Sequence, residues 1–552
     1  MPRHLPIALL VVLATRTLDA QSGPARAPSS LSAQLDSALR ARITDRAPGC
    51  VVGARRGQER VVLARGLAEL ESGRRLDTLS VLEAGSVSKQ FTAAVLLRLA
   101  QAGRLSLDDT VRRHISQLPR SLPPFTVRQL LTHQAGLPEW GDMVALQGWP
   151  RSTADHAQAE IITFLTRITR TNFAPGAEYL YSNGNYVLAT EVAARAGGAS
   201  FADVSQTQLF APLGLTDTRW RTDFRAVVPR RAPAFTTNAA GTWQLDMPYE
   251  GVVGHGGLLT TVPDLLTWLD ALNGTSAFGS AFAREMERVG VLRSGRVTSY
   301  ALGLDVDGLS GERAVSHAGA TAGYRAYAGR VPSKQASVAI LCNNGDLNTE
   351  ELGPEWLALV AGLPLPAYYA QPVLGDTARS GVRATMAGRF RNERSRAMVM
   401  VRAFAEGLAI NTWTAFRARS DSARSFASDD GQRALTMSAD ANRYAIVAGG
   451  DTVHYTRVPV WSPARATLSA LADAYHDPVT GTTWTVTAAD GGLRVSPHPG
   501  RTWTLQPLYP DAFRLADEGF TVTVERDARG QARALAVWTT RSRGLRLVRR
   551  SP

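Results

Sequence analysis

A change of pattern near Pro364 limits the fold more than any other feature of the sequence. Before it, from about Leu31 to Leu363, helical and strand periodicities alternate. After the stretch PLPAYYAQPVLGDTARSG the chain carries short alternating runs separated by Gly and Asp turns, with no run of helical period, a pattern suited to all-β structure. This second part also repeats itself. MAGRFRNERSRAMVMVRAFAEGLAI is echoed by LADAYHDPVTGTTWTVTAADGGLRV, and the endings DTVHYTRV and RGLRLVRR follow in the same order. The repeat predicts two tandem β-barrel-like domains, 383–460 and 467–550, after a linker at 364–382.

The first part reads differently. Leu31 to Ile43 has helical spacing, while CVVGARRGQERVVLARGLAEL reads as two strands around a polar Gly turn. Phe91 to Ala102, apolar almost all round and closed by Gly103, predicts a buried helix, and Val262 to Asn273 a second one opened by Pro263 and Asp264. TAGYRAYAGRVPSKQASVAILCNN supplies two strand-like runs around a Pro-Ser turn. This order predicts an α/β (α+β) domain over 33–363, an antiparallel sheet built from both ends of the segment with a mostly helical region inserted. With 552 residues and 44% hydrophobic content the chain has material for several cores. At the N-terminus, MPRHLPIALLVVLATRTLDAQS puts a basic start before an apolar run and ends in the small residue Ala20, which predicts an export signal at 1–20 and a linker at 21–32. The run is far shorter than the roughly 20 apolar residues of a spanning helix, so no membrane span is expected once the signal is removed.

Composition excludes several classes of function. The formal charge of +13 comes from arginines scattered among acids, with no basic cluster interleaved with aromatics, so no nucleic-acid partner is expected. Cys50 and Cys342 are too few for a disulfide framework or a structural zinc site; they read as buried free thiols, with a single bridge the alternative in an oxidising compartment. No H-E-x-x-H, Cys/His cluster or G-x-x-x-x-G-K-[ST] is present, so neither metal nor other cofactor is expected.

Of 61 basic residues only Lys89 and Lys334 are lysines. In AGSVSKQF, a helix starting at Ser86 brings the Ser86 hydroxyl and the Lys89 amine onto one face. A serine hydroxyl becomes nucleophilic when a base takes its proton; an amine can do this once burial and nearby charge lower its pKa, and a guanidinium cannot. The helix start adds N–H donors for a developing oxyanion. Taken alone, the tetrapeptide reads as a helix cap beside a solvated lysine. Downstream, Tyr181 and Asn183 sit in a Gly/Asn-rich turn before a helix, where a tyrosine relays protons and an amide orients substrate. His317, Ala318 and Gly319 open an expected edge strand whose small residues admit a substrate backbone and expose a backbone N–H. His133 and His255 read as structural.

The order S-x-x-K, Y-x-N, H-x-G, with the blocks EAGSVSKQFTAAVLLRLAQAGRLSLDDTV, FTVRQLLTHQAGLPEW, VGHGGLLTTVPDLLTWL and HAGATAGYRAY, resembles the serine β-lactamase and penicillin-binding-protein superfamily. The likeness is specifically to its class C-like group, which includes D-aminopeptidases, D-alanyl-D-alanine carboxypeptidases and bacterial esterases. The resemblance covers about 33–363, and the two β-domains resemble the paired barrels of D-aminopeptidase-type enzymes. It implies Ser86 as acylated nucleophile, Lys89 as its base partner, Tyr181 as proton relay and Asn183 as a positioning group. The N–H groups of Ser86 and Ala320 would form the oxyanion hole, with His317 and Gly319 of the third motif beside the substrate. His317 stands where β-lactamases carry lysine, as in many esterase and peptidase relatives, which points away from β-lactamase activity. The implied function is an exported serine hydrolase acting through an acyl-enzyme on small-molecule or peptide substrates: D-amino-acid peptides or amides, or carboxylic esters. A β-lactamase, or a penicillin-binding sensor that acylates without turnover, is the alternative.

Overall fold

The structure, a computed structural model, describes residues 30–149, 154–275, 278–365, 381–404, 406–411, 414–418, 424–428, 433–516 and 518–550. The expected export signal and most of both linkers lie outside the described residues. In the first domain the elements that position the site are α1 (Leu31–Arg42), β1 (Cys50–Arg56), β2 (Glu59–Arg65), α2 (Ser88–Gln101), α3 (Asn183–Gly197), α4 (Val262–Asp270), β3 (Asp305–Leu309), β4 (Glu312–Thr321), β5 (Tyr324–Val331), β6 (Ala336–Cys342) and α5 (Thr349–Ala361).

β1 to β6 form one antiparallel sheet in the order β2-β1-β6-β5-β4-β3, so strands from both ends of the domain pair directly. The central strands are buried on both faces. One face packs on α1 and α5 through Leu35, Leu39, Val338 and Trp356; the other faces the helical insert through Val51, Ala328 and Leu341. Gly53 of β1 has a packing reason: a Cβ there would come within 2.5 Å of Val262 and 2.7 Å of Leu266, so α4 seats on the sheet only over a glycine.

The two cysteines are not free thiols. The β1–β6 register sets Cys50 directly opposite Cys342, and the two form a disulfide that joins residues 292 positions apart. Strand alternation alone does not reveal such a pair, because the register between distant strands is a tertiary choice.

The all-β part is two closed eight-stranded barrels, the first between Gly388 and Arg457, the second between Asp473 and Arg549. Each strand pairs with its sequence neighbours and the last closes on the first, which removes free edges. Phe390, Phe416 and Phe426 fill the first interior, and Trp484, Trp503 and Phe513 the second. The second barrel is not a separate bead. Its core takes in Leu146 of the first domain, whose carbonyl accepts the Trp484 indole N–H at 2.7 Å, and His498 stacks on Trp149 at 3.8 Å. No described helix is long and apolar enough to cross a membrane.

Candidate active site

α2 is entered through a single 3-10 turn, Gly85–Val87. Gly85 has φ +50°, and a Cβ on it would lie 2.6 Å from the Ala320 nitrogen, while one on Gly319 would run into the Ala84 carbonyl. Two glycines therefore let the turn and β4 meet backbone to backbone. This brings the Ser86 and Ala320 nitrogens to the same place. The Ala320 N–H is also free to point there: β4 turns into β5 through only two residues, so Thr321 and Tyr324 close the hairpin as a hydrogen-bonded pair and the next pair, Ala320 with Arg325, is of the non-bonded kind. β3 pairs no further along β4 than Ser316. The result is two N–H donors beside a serine hydroxyl, the geometry of an oxyanion hole.

Lys89, the second residue of α2, is fully buried. Its Nζ donates to Ser86 Oγ at 3.0 Å and to the His255 carbonyl at 2.8 Å, and lies 4.8 Å from the centre of the Tyr181 ring. Burial pushes the Tyr181 phenol well above its ordinary range, with a hydrogen bond to Ser86 working against that rise. Asn183 is the first residue of α3; its backbone N–H donates to Glu139 Oε2 at 2.8 Å, and its Oδ1 is buried with no hydrogen-bond partner among the described residues. His133 packs on Tyr181 at 4.3 Å, and its Nδ1 accepts the Ser182 N–H at 3.2 Å. Burial holds it far below the usual histidine range, with Lys89 adding to the effect, so it is neutral.

The chain thus brings Ser86, Lys89, Tyr181, Asn183, Gly319 and Ala320 together. His317 lies behind them. It is 5% exposed, its Nε2 meets the Tyr300 hydroxyl at 2.9 Å and its Nδ1 the Ala318 carbonyl at 2.6 Å. Burial, with Lys89 adding, pushes its pKa down to about 3. The cleft in front of Ser86, about 480 Å³, is walled by Asn183 and Ala320 and also by Asp246, Glu250, His255 and Arg325. Periodicity singled out none of these last four for the cleft. The one local signal was the glycine cluster around His255, where Gly254 and Gly257 take φ of +97° and +80°.

The second barrel reaches the same site. Between its last two strands, Ala532–Trp538 and Arg543–Arg549, a turn sets the Arg541 guanidinium 4.9 Å from the Tyr181 ring centre and 3.8 Å from Glu139 Oε2. In the same turn Ser542 Oγ accepts the Glu139 N–H at 3.0 Å.

A sheet covered by helices, with a serine and a buried lysine at the start of the helix it carries, defines the class of β-lactamase-like proteins. The Beta-lactamase family model matches residues 35–362, and the chain belongs to that family. A D-aminopeptidase of Cereibacter sphaeroides is 26% identical over 302 residues, 54% of this chain and 57% of that protein; the chain thus matches a little over half the length of this relative. The octameric penicillin-binding protein homologue from Pyrococcus abyssi superposes with a TM-score of 0.53 at 20% identity over 77% of this chain and 99% of that one. D-amino acid amidase from Ochrobactrum anthropi SV3 superposes with a TM-score of 0.50 at 22% identity, covering 60% of this chain and 97% of its own. At these identities the two structures establish a shared fold.

Proposed function

We propose that this protein is an exported serine hydrolase that cleaves amide or ester bonds through an acyl-enzyme on Ser86. The observation that carries the reading is the 3.0 Å contact between Lys89 Nζ and Ser86 Oγ in a cleft that also presents two backbone N–H groups. Lys89, in its deprotonated amine form, takes the Ser86 proton as Oγ attacks the substrate carbonyl. The oxyanion forms against the N–H groups of Ser86 and Ala320, and Tyr181 gives its phenol proton to the departing amine or alkoxide while it takes the proton held by Lys89, which returns the lysine to the amine. Water then repeats the attack on the acyl ester and Ser86 is regenerated. The names of the relatives favour D-amino-acid peptides or amides as substrates. The first residues and the Cys50–Cys342 bridge favour an oxidising, extracytoplasmic location.

His317 supports a hydrolase other than a β-lactamase. It is neutral and behind the cleft, so it offers no cation to a substrate carboxylate. Intact-mass analysis after fluorophosphonate treatment is expected to give one adduct on Ser86, absent from Ser86→Ala, and the unmodified protein to turn over a D-amino-acid anilide or a neutral ester repeatedly. A single burst of product with no turnover would establish the non-hydrolysing, penicillin-sensing alternative instead.

A further inference from the structure

We infer that Glu178 is a positioning residue through which both barrels hold Tyr181 in register with Ser86. The inference rests on the hydrolase reading, with Tyr181 as proton relay.

Tyr181 lies on the irregular segment that leads into α3. The first domain fixes that segment on its inner side: the Asn172 N–H donates to the Gly136 carbonyl at 2.7 Å, the Gly176 N–H to Gln134 at 2.8 Å and the Leu180 N–H to His133 at 3.1 Å. Glu178 points the other way, three residues before Tyr181, and meets arginines from both barrels. Arg543, opening the last strand of the second barrel, grips it as a fork, with Nη1 to Oε1 at 3.2 Å and Nη2 to Oε2 at 3.0 Å. Arg394 of the first barrel stands 3.6 Å from Oε2. That guanidinium is itself fixed by both oxygens of Asp451, at 2.6 and 2.8 Å, and by the Thr452 carbonyl at 2.8 Å.

The chain of charges returns to the first domain. Asp451 lies 4.0 Å from Arg296, and the Arg293 N–H donates to the Gly176 carbonyl at 2.8 Å, two residues before Glu178. A second tie runs beside it: the Arg543 N–H donates to Asn172 Oδ1 at 2.8 Å, and the Asn172 amide donates to the Arg541 carbonyl at 3.0 Å. The side chains of Glu178, Arg543 and Arg394 are 25%, 15% and 31% exposed. Partly desolvated, forked and networked, these pairs hold a geometry that an isolated surface pair does not.

A relay must sit within about half an ångström of its productive place, and a proton is worth most to the substrate with the poorest leaving group. Loosening Glu178 therefore penalises the release of an amine far more than that of an activated phenolate. General acid catalysis contributes about 10²–10⁴-fold, and a displaced relay forfeits part of it. For Glu178→Gln the expected loss in kcat/KM is roughly 30-fold on D-alanine p-nitroanilide and roughly 3-fold on p-nitrophenyl acetate, carried by kcat. Glu178→Asp is expected to recover part of the anilide activity. Arg394→Gln, on the rim of the first barrel, is expected to shift the same ratio in the same direction by a smaller factor, and it decides the matter if Glu178→Gln does not fold. Equal losses on the two substrates, or a native ratio in Arg394→Gln, would overturn the inference. Failure of the unsubstituted protein to take fluorophosphonate on Ser86 would instead overturn the hydrolase reading on which it rests.

Discussion

Replacing Lys89 by arginine tests whether this residue acts as a base or only as a charge. The side chain is fully buried and donates to two oxygens, Ser86 Oγ at 3.0 Å and the His255 carbonyl at 2.8 Å. A guanidinium can keep both bonds and the positive charge, but it never gives up its proton. The loss is therefore that of the general base itself, about 10²–10⁴-fold in the acylation rate, or about 3–5 kcal/mol of transition-state stabilisation. The larger head group also overfills a packed site. That costs about 1–3 kcal/mol of stability and roughly 2–6 °C in Tm, leaving a folded protein. Lys89→Met removes base and charge together. If Lys89 is the base, the two variants lose acylation to a similar extent; if it only supplies charge, arginine retains most of it. The assay is the second-order rate of fluorophosphonate labelling, followed by intact mass and paired with thermal melts. Labelling of Lys89→Arg within tenfold of the native rate, at a comparable Tm, would refute the assignment.

His317→Lys would add a second ammonium to a buried site next to Lys89, where burial already pushes the histidine down to about 3. The expected outcome is a loss of about 3–5 kcal/mol in denaturant titrations, with no gain in nitrocefin turnover; improved turnover of this anionic substrate would refute the placement. Asp305, pushed up to about 7 by burial with Asp307 adding, holds its proton in the folded protein well above the ordinary 3.8. The contribution of Asp305 to stability therefore rises as pH falls through 7 towards 4, and Asp305→Asn should lose ground to the native protein by about 1.4 kcal/mol per pH unit across that window. A stability difference independent of pH would contradict this. A chain ending at Leu363 would expose Leu146 and lose the bond between the Glu139 N–H and Ser542, so it is expected to aggregate or melt well below the full chain. A truncated protein with native Tm and unchanged substrate profile would show that the barrels neither support nor shape the site.

What the sequence determined by itself is what local geometry dictates. The three-residue spacing of Ser86 and Lys89 keeps the two side chains within one turn of each other, here across a 3-10 turn and the start of α2, and Lys89, one of two lysines kept among the arginines, stands out as the candidate base. Strand alternation and the internal repeat were enough to announce the two barrels. Tertiary structure decided the contacts whose partners lie hundreds of residues apart. The register of β1 on β6 pairs Cys50 with Cys342. The Gly254–Gly257 loop delivers the His255 carbonyl to Lys89, and the pleat of β4 turns His317 inward onto Tyr300. Docking of the second barrel carries Arg541 to Tyr181 and Arg543 to Glu178. A one-dimensional periodicity records which face of an element is apolar. It does not record which other element that face will meet, because many pairings satisfy the same pattern and the packed whole selects one.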